Sequence, residues 1–263
     1  MPLPPTSRKV GLARALSKLG YCSRSQGAKL IRAGRVRLNT KLCRDPETPV
    51  HLECDKIEVD GQALAGEQKV YLIMNKPRGI VTTASDEKGR ETVYSVLDGC
   101  GESLPWISPV GRLDKASEGL LLLTNDSEWG SRVAAPETHL EKTYHVQIAR
   151  LADEDFIRQI EKGVRTNGEE FLNVSRCRLL RSGGKNCWLE ITLHEGKNRQ
   201  IRRILETLGV EILRLVRVAI GPLQLGTLAK GTCRRLTPDE KRNLDDAMIY
   251  RKQRKSPPQR HAT

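Results

Sequence analysis

The wholly apolar run Leu120-Leu121-Leu122-Leu123, entered through Gly119 and left through Thr124-Asn125-Asp126, constrains the fold more than any other stretch of the chain. It has no polar alternation, so it reads as a core strand. Around it, strand-like runs at 70–74, 144–148, 188–193 and 212–218 alternate with helix-like runs at 153–162 and 197–208. That alternation predicts an α+β chain with a mixed central sheet flanked by helices.

The N-terminal part reads differently. Apolar residues at Val10, Ala13, Leu16 and Leu19 follow helical spacing up to Gly20. Ser23 with Gln26 three residues on predicts a capped second helix that carries Ala28 and Ile31 and stops at Gly34. Residues 36–39 alternate like a strand, 45–49 read as a loop, and 56–61 as a second strand closed by an Asp-Gly turn. Residues 1–50 hold eleven Lys or Arg against Asp45 and Glu47, a net +9 on this small helix-helix-strand-strand unit. Such a charge suits phosphate backbones or RNA shape, although it could equally solvate two outer helix faces. The resulting division is a flexible leader at 1–9, a small basic domain at 10–62, a polar linker at 63–69, a larger domain at 70–247, and a basic, disordered tail at 248–263.

A length of 263 residues accommodates two domains, and a formal charge of +13 favours a polyanionic partner over an acidic or neutral one. No apolar run is long enough to span a bilayer and Met1 to Pro5 lead into no apolar signal core, which predicts a soluble protein with no membrane role. Seven scattered cysteines without a C-x-x-C pair read as reduced thiols in a cytoplasm, and neither they nor the five histidines outline a metal site.

One loop carries the candidate chemistry. In Gly111-Arg112-Leu113-Asp114-Lys115-Ala116-Ser117, the aspartate stands just before the apolar strand, where a carboxylate is well placed to act as nucleophile or base. On chemistry alone it fits an Asx-turn or an ion pair with Arg112 just as well.

The basic module resembles the S4-like RNA-binding domain through Leu16-Ser17-Lys18-Leu19-Gly20-Tyr21-Cys22-Ser23-Arg24-Ser25 and Ile31-Arg32-Ala33-Gly34-Arg35-Val36-Arg37-Leu38-Asn39. That resemblance makes Arg24, Lys29, Arg32, Arg35 and Arg37 candidate RNA contacts. The larger domain resembles the RsuA-type ribosomal RNA pseudouridine synthases through four segments in order. They are Asn75-Lys76-Pro77-Arg78-Gly79, Gly111-Arg112-Leu113-Asp114 with the leucine run and Thr124-Asn125-Asp126, Glu141-Lys142-Thr143-Tyr144, and Glu195-Gly196-Lys197-Asn198-Arg199-Gln200-Ile201-Arg202-Arg203.

What the resemblance implies is an isomerase needing neither cofactor nor metal, acting as a monomer on ribosomal RNA or a pre-ribosomal particle. Asp114 would be the essential carboxylate, attacking the ribose or assisting cleavage through a glycal. Tyr144 would lie over the base and Arg202 would pair with Asp114. Lys76, Arg112, Lys142, Lys197, Asn198, Arg199, Gln200 and Arg203 would meet RNA. Ser117 stands where many relatives carry threonine. Arg199 replaces a histidine of other branches, which favours large-subunit over small-subunit RNA. A non-catalytic assembly factor with a retained synthase fold is the competing expectation.

Overall fold

The computed structural model describes residues 9–253 except 67, 85, 101–103, 167 and 169. Contacts divide the chain into two compact units, the first running to Tyr71 and including 102–108 and 123–128, the second holding the remainder.

In the first unit, β1 (Val10–Gly11), α1 (Leu12–Lys18) and α2 (Arg24–Arg32) precede β2 (Val36–Leu38), β3 (Lys41–Cys43), β4 (Pro49–Val50), β5 (Ile57–Val59) and β6 (Gln62–Ala63). The expected first helix starts two residues late, because Val10 and Gly11 extend to pair with Val50 and Pro49. The expected 45–49 loop correspondingly ends in strand. At α2 the Ser23 hydroxyl accepts from the Gln26 amide while the Gln26 side chain accepts from the Ser23 amide, so both donors at the helix start are satisfied. Leu12, Leu16, Ile31, Val36, Val50, Ile57 and Val59 close a core beneath the helices. The outward faces are left to the arginines.

The second unit is built on β7 (Tyr71–Lys76), β8 (Ser108–Val110), β9 (Glu118–Thr124), β10 (Lys142–Ile148), β11 (Val164–Arg165), β12 (Phe171–Leu172), β13 (Arg176–Ser182), β14 (Cys187–Leu193), β15 (Ile212–Ile220), β16 (Leu223–Gln224) and β17 (Cys233–Arg235). Its helices are α3 (Val93–Asp98), α4 (Ser127–Ala134), α5 (Glu154–Lys162), α6 (Gln200–Thr207) and α7 (Pro238–Gln253). The central sheet runs β13-β14-β10-β15-β9-β7-β17, with β9 parallel to β15 and β10 antiparallel to both β14 and β15. Every residue of β9 is buried, as the unbroken leucine run requires. Phe156 and Ile160 of α5 and Ile201, Ile204 and Leu205 of α6 pack on Val146, Ile148, Leu189 and Ile191, so both helices cover one face of the sheet.

Gly119 fixes how β9 meets β15. It has a φ of +101°, and a Cβ there would sit 2.2 Å from the Arg217 carbonyl oxygen. Only glycine permits that approach.

Two expectations are corrected. The tail was placed from 248, but α7 continues to Gln253 and Met248 is only 6% exposed; the rest of that segment, 254–263, and the leader at 1–8 lie outside the described residues. The cysteines are not all thiols: Cys100 and Cys233 are joined with their Cα atoms 6.2 Å apart, while the other five are free. The fold brings the end of α3 to strand β17, a proximity that no cysteine spacing encodes. Among the described residues, no helix is long and apolar enough to cross a membrane.

Candidate active site

Asp114 lies in the loop between β8 and β9, and that loop is held from below. The Lys76 ammonium, with 0% exposure, donates to the carbonyls of Pro77 (3.0 Å), Asp114 (3.2 Å) and Ser117 (2.9 Å). Thr82 donates its hydroxyl to the Leu113 carbonyl, and the Gly79 amide donates to the Lys115 carbonyl. The Asn75 to Gly79 motif is thus a brace for the Asp114 loop. Burial pulls the Lys76 pKa down to about 8 against the raising influence of Asp114 and Glu118. Lys76 is therefore not an RNA contact as expected, because no phosphate can reach it.

From above, α6 and the residue that caps its start supply two guanidinium groups. Arg202 Nη2 donates to the Ala116 carbonyl and the Ser117 hydroxyl, both at 3.1 Å, and its Nε lies 3.6 Å from Asp114 Oδ2. Arg199 Nη1 stands 4.0 Å from the same oxygen. The carboxylate keeps 38% side-chain exposure, so it is oriented by two cations without being sealed off. Burial lowers the Arg202 pKa, Asp114 works against that, and the neighbouring Arg199 and Arg78 add to it. Asp114 pairs with these arginines rather than with Arg112, its neighbour in sequence.

Tyr144 on β10 is half-buried, packs against the α5–α6 core, and faces Arg217 of β15 in register. Asp114, Arg202 and Tyr144 line one cleft of about 800 Å³, together with Arg112, Lys142, Lys197, Asn198, Arg199, Gln200 and Arg217. The structure therefore gathers the three expected catalytic residues from three separate sequence segments.

The other expected contacts separate by burial. Arg112, Lys197, Asn198 and Arg199 are exposed at the cleft, where phosphates can reach them. Gln200 is only 6% exposed, and its amide is held between the Asn173 carbonyl and the Lys197 amide, so it shapes the turn before α6 instead of meeting RNA. Arg203 is half-buried and bonded to Glu170 (2.7 Å) and Thr166. In the first unit, Arg24, Lys29, Arg32, Arg35 and Arg37 are all exposed. Arg24 and Arg32 line a hollow of about 1030 Å³ with Lys9, Arg14 and Lys18. Arg35 is instead forked onto Asp60 at 2.8 and 2.5 Å, and Arg37 donates to the Thr40 carbonyl.

The acids near Asp114 in sequence offer it no acid–base partner. Glu118 is 2% exposed; burial would raise its pKa, but Arg214 and Lys230, both ion-paired to it, hold it below the ordinary value. Asp126 accepts from the Tyr71 hydroxyl, and Asn125 clamps the backbone of Gln68 and Val70. The Thr124-Asn125-Asp126 motif is accordingly structural. The residue that sequence reading missed is Arg217. Its place beside Tyr144 depends on the pairing of β10 with β15, and the sequence signal was only a charged residue inside an apolar strand.

A model of the RNA pseudouridylate synthase family matches residues 70–207, and a model of the S4 domain matches residues 10–57. The chain belongs to the RNA pseudouridylate synthase family. It is of the RsuA type, an enzyme with an S4 domain ahead of the synthase domain. A protein of Aquifex aeolicus called an uncharacterized RNA pseudouridine synthase is 36% identical over 241 residues, covering 91% of this chain and 95% of the relative. The ribosomal large subunit pseudouridine synthase B of Bacillus subtilis is 34% identical over 235 residues, covering 89% and 94%. A crystal structure of a pseudouridylate synthase superposes with a TM-score of 0.60 at 29% identity, covering 89% of this synthase and 99% of that chain.

Proposed function

We propose that this synthase isomerises a specific uridine of large-subunit ribosomal RNA, with Asp114 as its reacting carboxylate. The observation that carries the reading is the Asp114–Arg202 pair, 3.6 Å apart, in a cleft shared with Tyr144. The naming of the Bacillus subtilis relative supports the choice of RNA. A target base leaves its stack at a cost of a few kcal/mol and lies against the Tyr144 ring. Asp114, oriented by Arg202 and Arg199, then either attacks the anomeric carbon or takes a ribose proton on the way to a glycal. Both routes rearrange one nucleotide, add nothing and remove nothing, and so call for no cofactor. The first unit contributes phosphate contacts through the hollow lined by Lys9, Arg14, Lys18, Arg24 and Arg32, which position without reading sequence. We place the enzyme in the cytoplasm as a monomer acting on ribosomal RNA or an assembling particle.

Mapping pseudouridine across both ribosomal RNAs tests the reading. A gene deletion and an Asp114→Ala strain each lose one position, or a few neighbouring ones, in the large-subunit RNA. Identical maps for the wild type and Asp114→Ala would replace the catalytic reading with that of an assembly factor.

A further inference from the structure

The cleft contains two cations that Asp114 does not use. Arg217 is 6% exposed, and its Nε donates to the Leu120 carbonyl at 2.7 Å. Its Nη2 is buried without a hydrogen-bond partner among the described residues. Lys142 lines the same cleft two residues before Tyr144 on β10, and therefore on the same face of the strand. Burial lowers its pKa, and the charge of Arg217 lowers it further, which means that the two like charges feel each other. The acids lining the cleft are Asp114 and Glu195. Asp114 faces Arg202 and Arg199, and Glu195 faces Lys197 at 3.5 Å. Two adjacent cations, Arg217 buried and Lys142 half-buried, with no carboxylate between them among the described residues, are costly unless the reaction brings negative charge to them.

We propose that Lys142 and Arg217 form a cationic wall that receives the negative charge of the uracil as it detaches from the ribose. The proposal rests on the synthase reading of Asp114 and deepens it. When the bond between C1′ and N1 breaks, its electron pair stays with the base, which becomes an anion delocalised over N1, O2 and O4. The ribose carbon is satisfied either by the Asp114 carboxylate or by loss of the C2′ proton to that carboxylate. After rotation C5 attacks C1′, the carboxylate leaves or returns its proton, the C5 proton is lost and N1 gains one. Either route passes through the same anion, so the wall serves both.

Depth in the cleft assigns these cations to the base rather than to the backbone. Arg112, Lys197 and Arg199 are exposed at the cleft and suit phosphates, whereas Arg217 sits beside Tyr144, where the ring of the base would lie. Because the base is neutral before the bond breaks, the pair acts mainly in the transition state.

The test uses the full-length synthase in excess over unmodified transcripts of both ribosomal RNAs, made with uridine or with 5-fluorouridine, whose base departs as a more stable anion. Lys142→Met and Arg217→Gln each lower the single-turnover rate on uridine transcripts by about 100-fold, with RNA affinity changed by less than about twofold. The loss shrinks about tenfold or more with 5-fluorouridine, followed as disappearance of the fluorinated nucleotide because its C5 has no proton to lose, since a better leaving group depends less on the wall. Lys142→Arg and Arg217→Lys recover most of the rate. Equal losses on both transcripts overturn the proposal, as does weakened RNA affinity with an unchanged rate at saturation, which would make the pair a phosphate anchor. If Arg217→Gln fails to fold for want of its Leu120 bond, Lys142→Met alone decides. Failure of the Asp114 reading is separately visible, as wild-type enzyme and Asp114→Ala protein acting alike on uridine transcripts.

Discussion

The two units carry positive charge in opposite ways. On the first, Arg24, Lys29, Arg32, Arg35 and Arg37 are all exposed. In the second, Lys76 and Arg217 are 0% and 6% exposed and Arg202 keeps 15% of its side-chain surface. An exposed arginine acts through the field it adds to its neighbours, is screened by salt, and can be exchanged for another. A buried one must be matched to a particular oxygen, so its value is local and is lost when it moves. Basic residues thus stand exposed at the surface of the first unit, while Lys76, Arg202 and Arg217 of the second are committed to particular backbone oxygens.

The sharpest way to break this comparison is Arg202→Met. The expected outcome is a loss of about 1000-fold in single-turnover rate, with RNA affinity and its salt dependence nearly unchanged. An equally large loss of affinity would mean that Arg202 behaves like the exposed set. Next comes the response of Lys76 to alkali. Its pKa of about 8 in the fold lies below its ordinary 10.5, so between these values the unfolded chain binds more protons and folding stability contributed by this group rises with pH. Activity should move the other way, since a neutral amine has two protons for three carbonyls and the brace on the Asp114 loop slackens. Thermal melts and rates measured on the same samples from pH 7 to about 10 check the crossing, and Lys76→Arg should move the break in the rate profile.

A smaller effect is expected from the triple change of Arg14, Arg24 and Arg32 to Gln. RNA affinity falls about tenfold at low salt and the slope of log affinity against log salt flattens by about 2 to 3, while the rate at saturation holds. Filter binding at several salt concentrations reads this. Smallest is Arg35→Gln, whose charge is already matched by Asp60; affinity should change by less than about twofold. A larger drop would place Arg35 in the RNA interface after all.

Legibility followed the range of the interactions. The capping box at Ser23 and Gln26 and the buried strand over Leu120–Leu123 are local patterns, and both are formed as the sequence indicates. Asp114, Tyr144 and Arg202 could be named only through the motifs they belong to, because their meeting in one cleft depends on sheet pairing and helix packing across many residues. Lys76 and Gln200 were expected to meet RNA only through the motifs they belong to, and nothing in their neighbours announces burial. Arg217 and the Cys100–Cys233 pair lie further out of reach, since each depends on which strand edge meets which.

The parallel pairing of β9 with β15 also has a consequence in time. Gly119 can take its place against Arg217 only after residue 217 has been synthesised, so the leucine run made much earlier, although β7 and β8 precede it, waits at the ribosome without β15. Such a long crossover folds slowly and leaves an apolar segment open to chaperones or misassembly in the interval. A nascent chain of this enzyme is consequently unable to modify RNA while the ribosome that makes it is still reading the middle of its message.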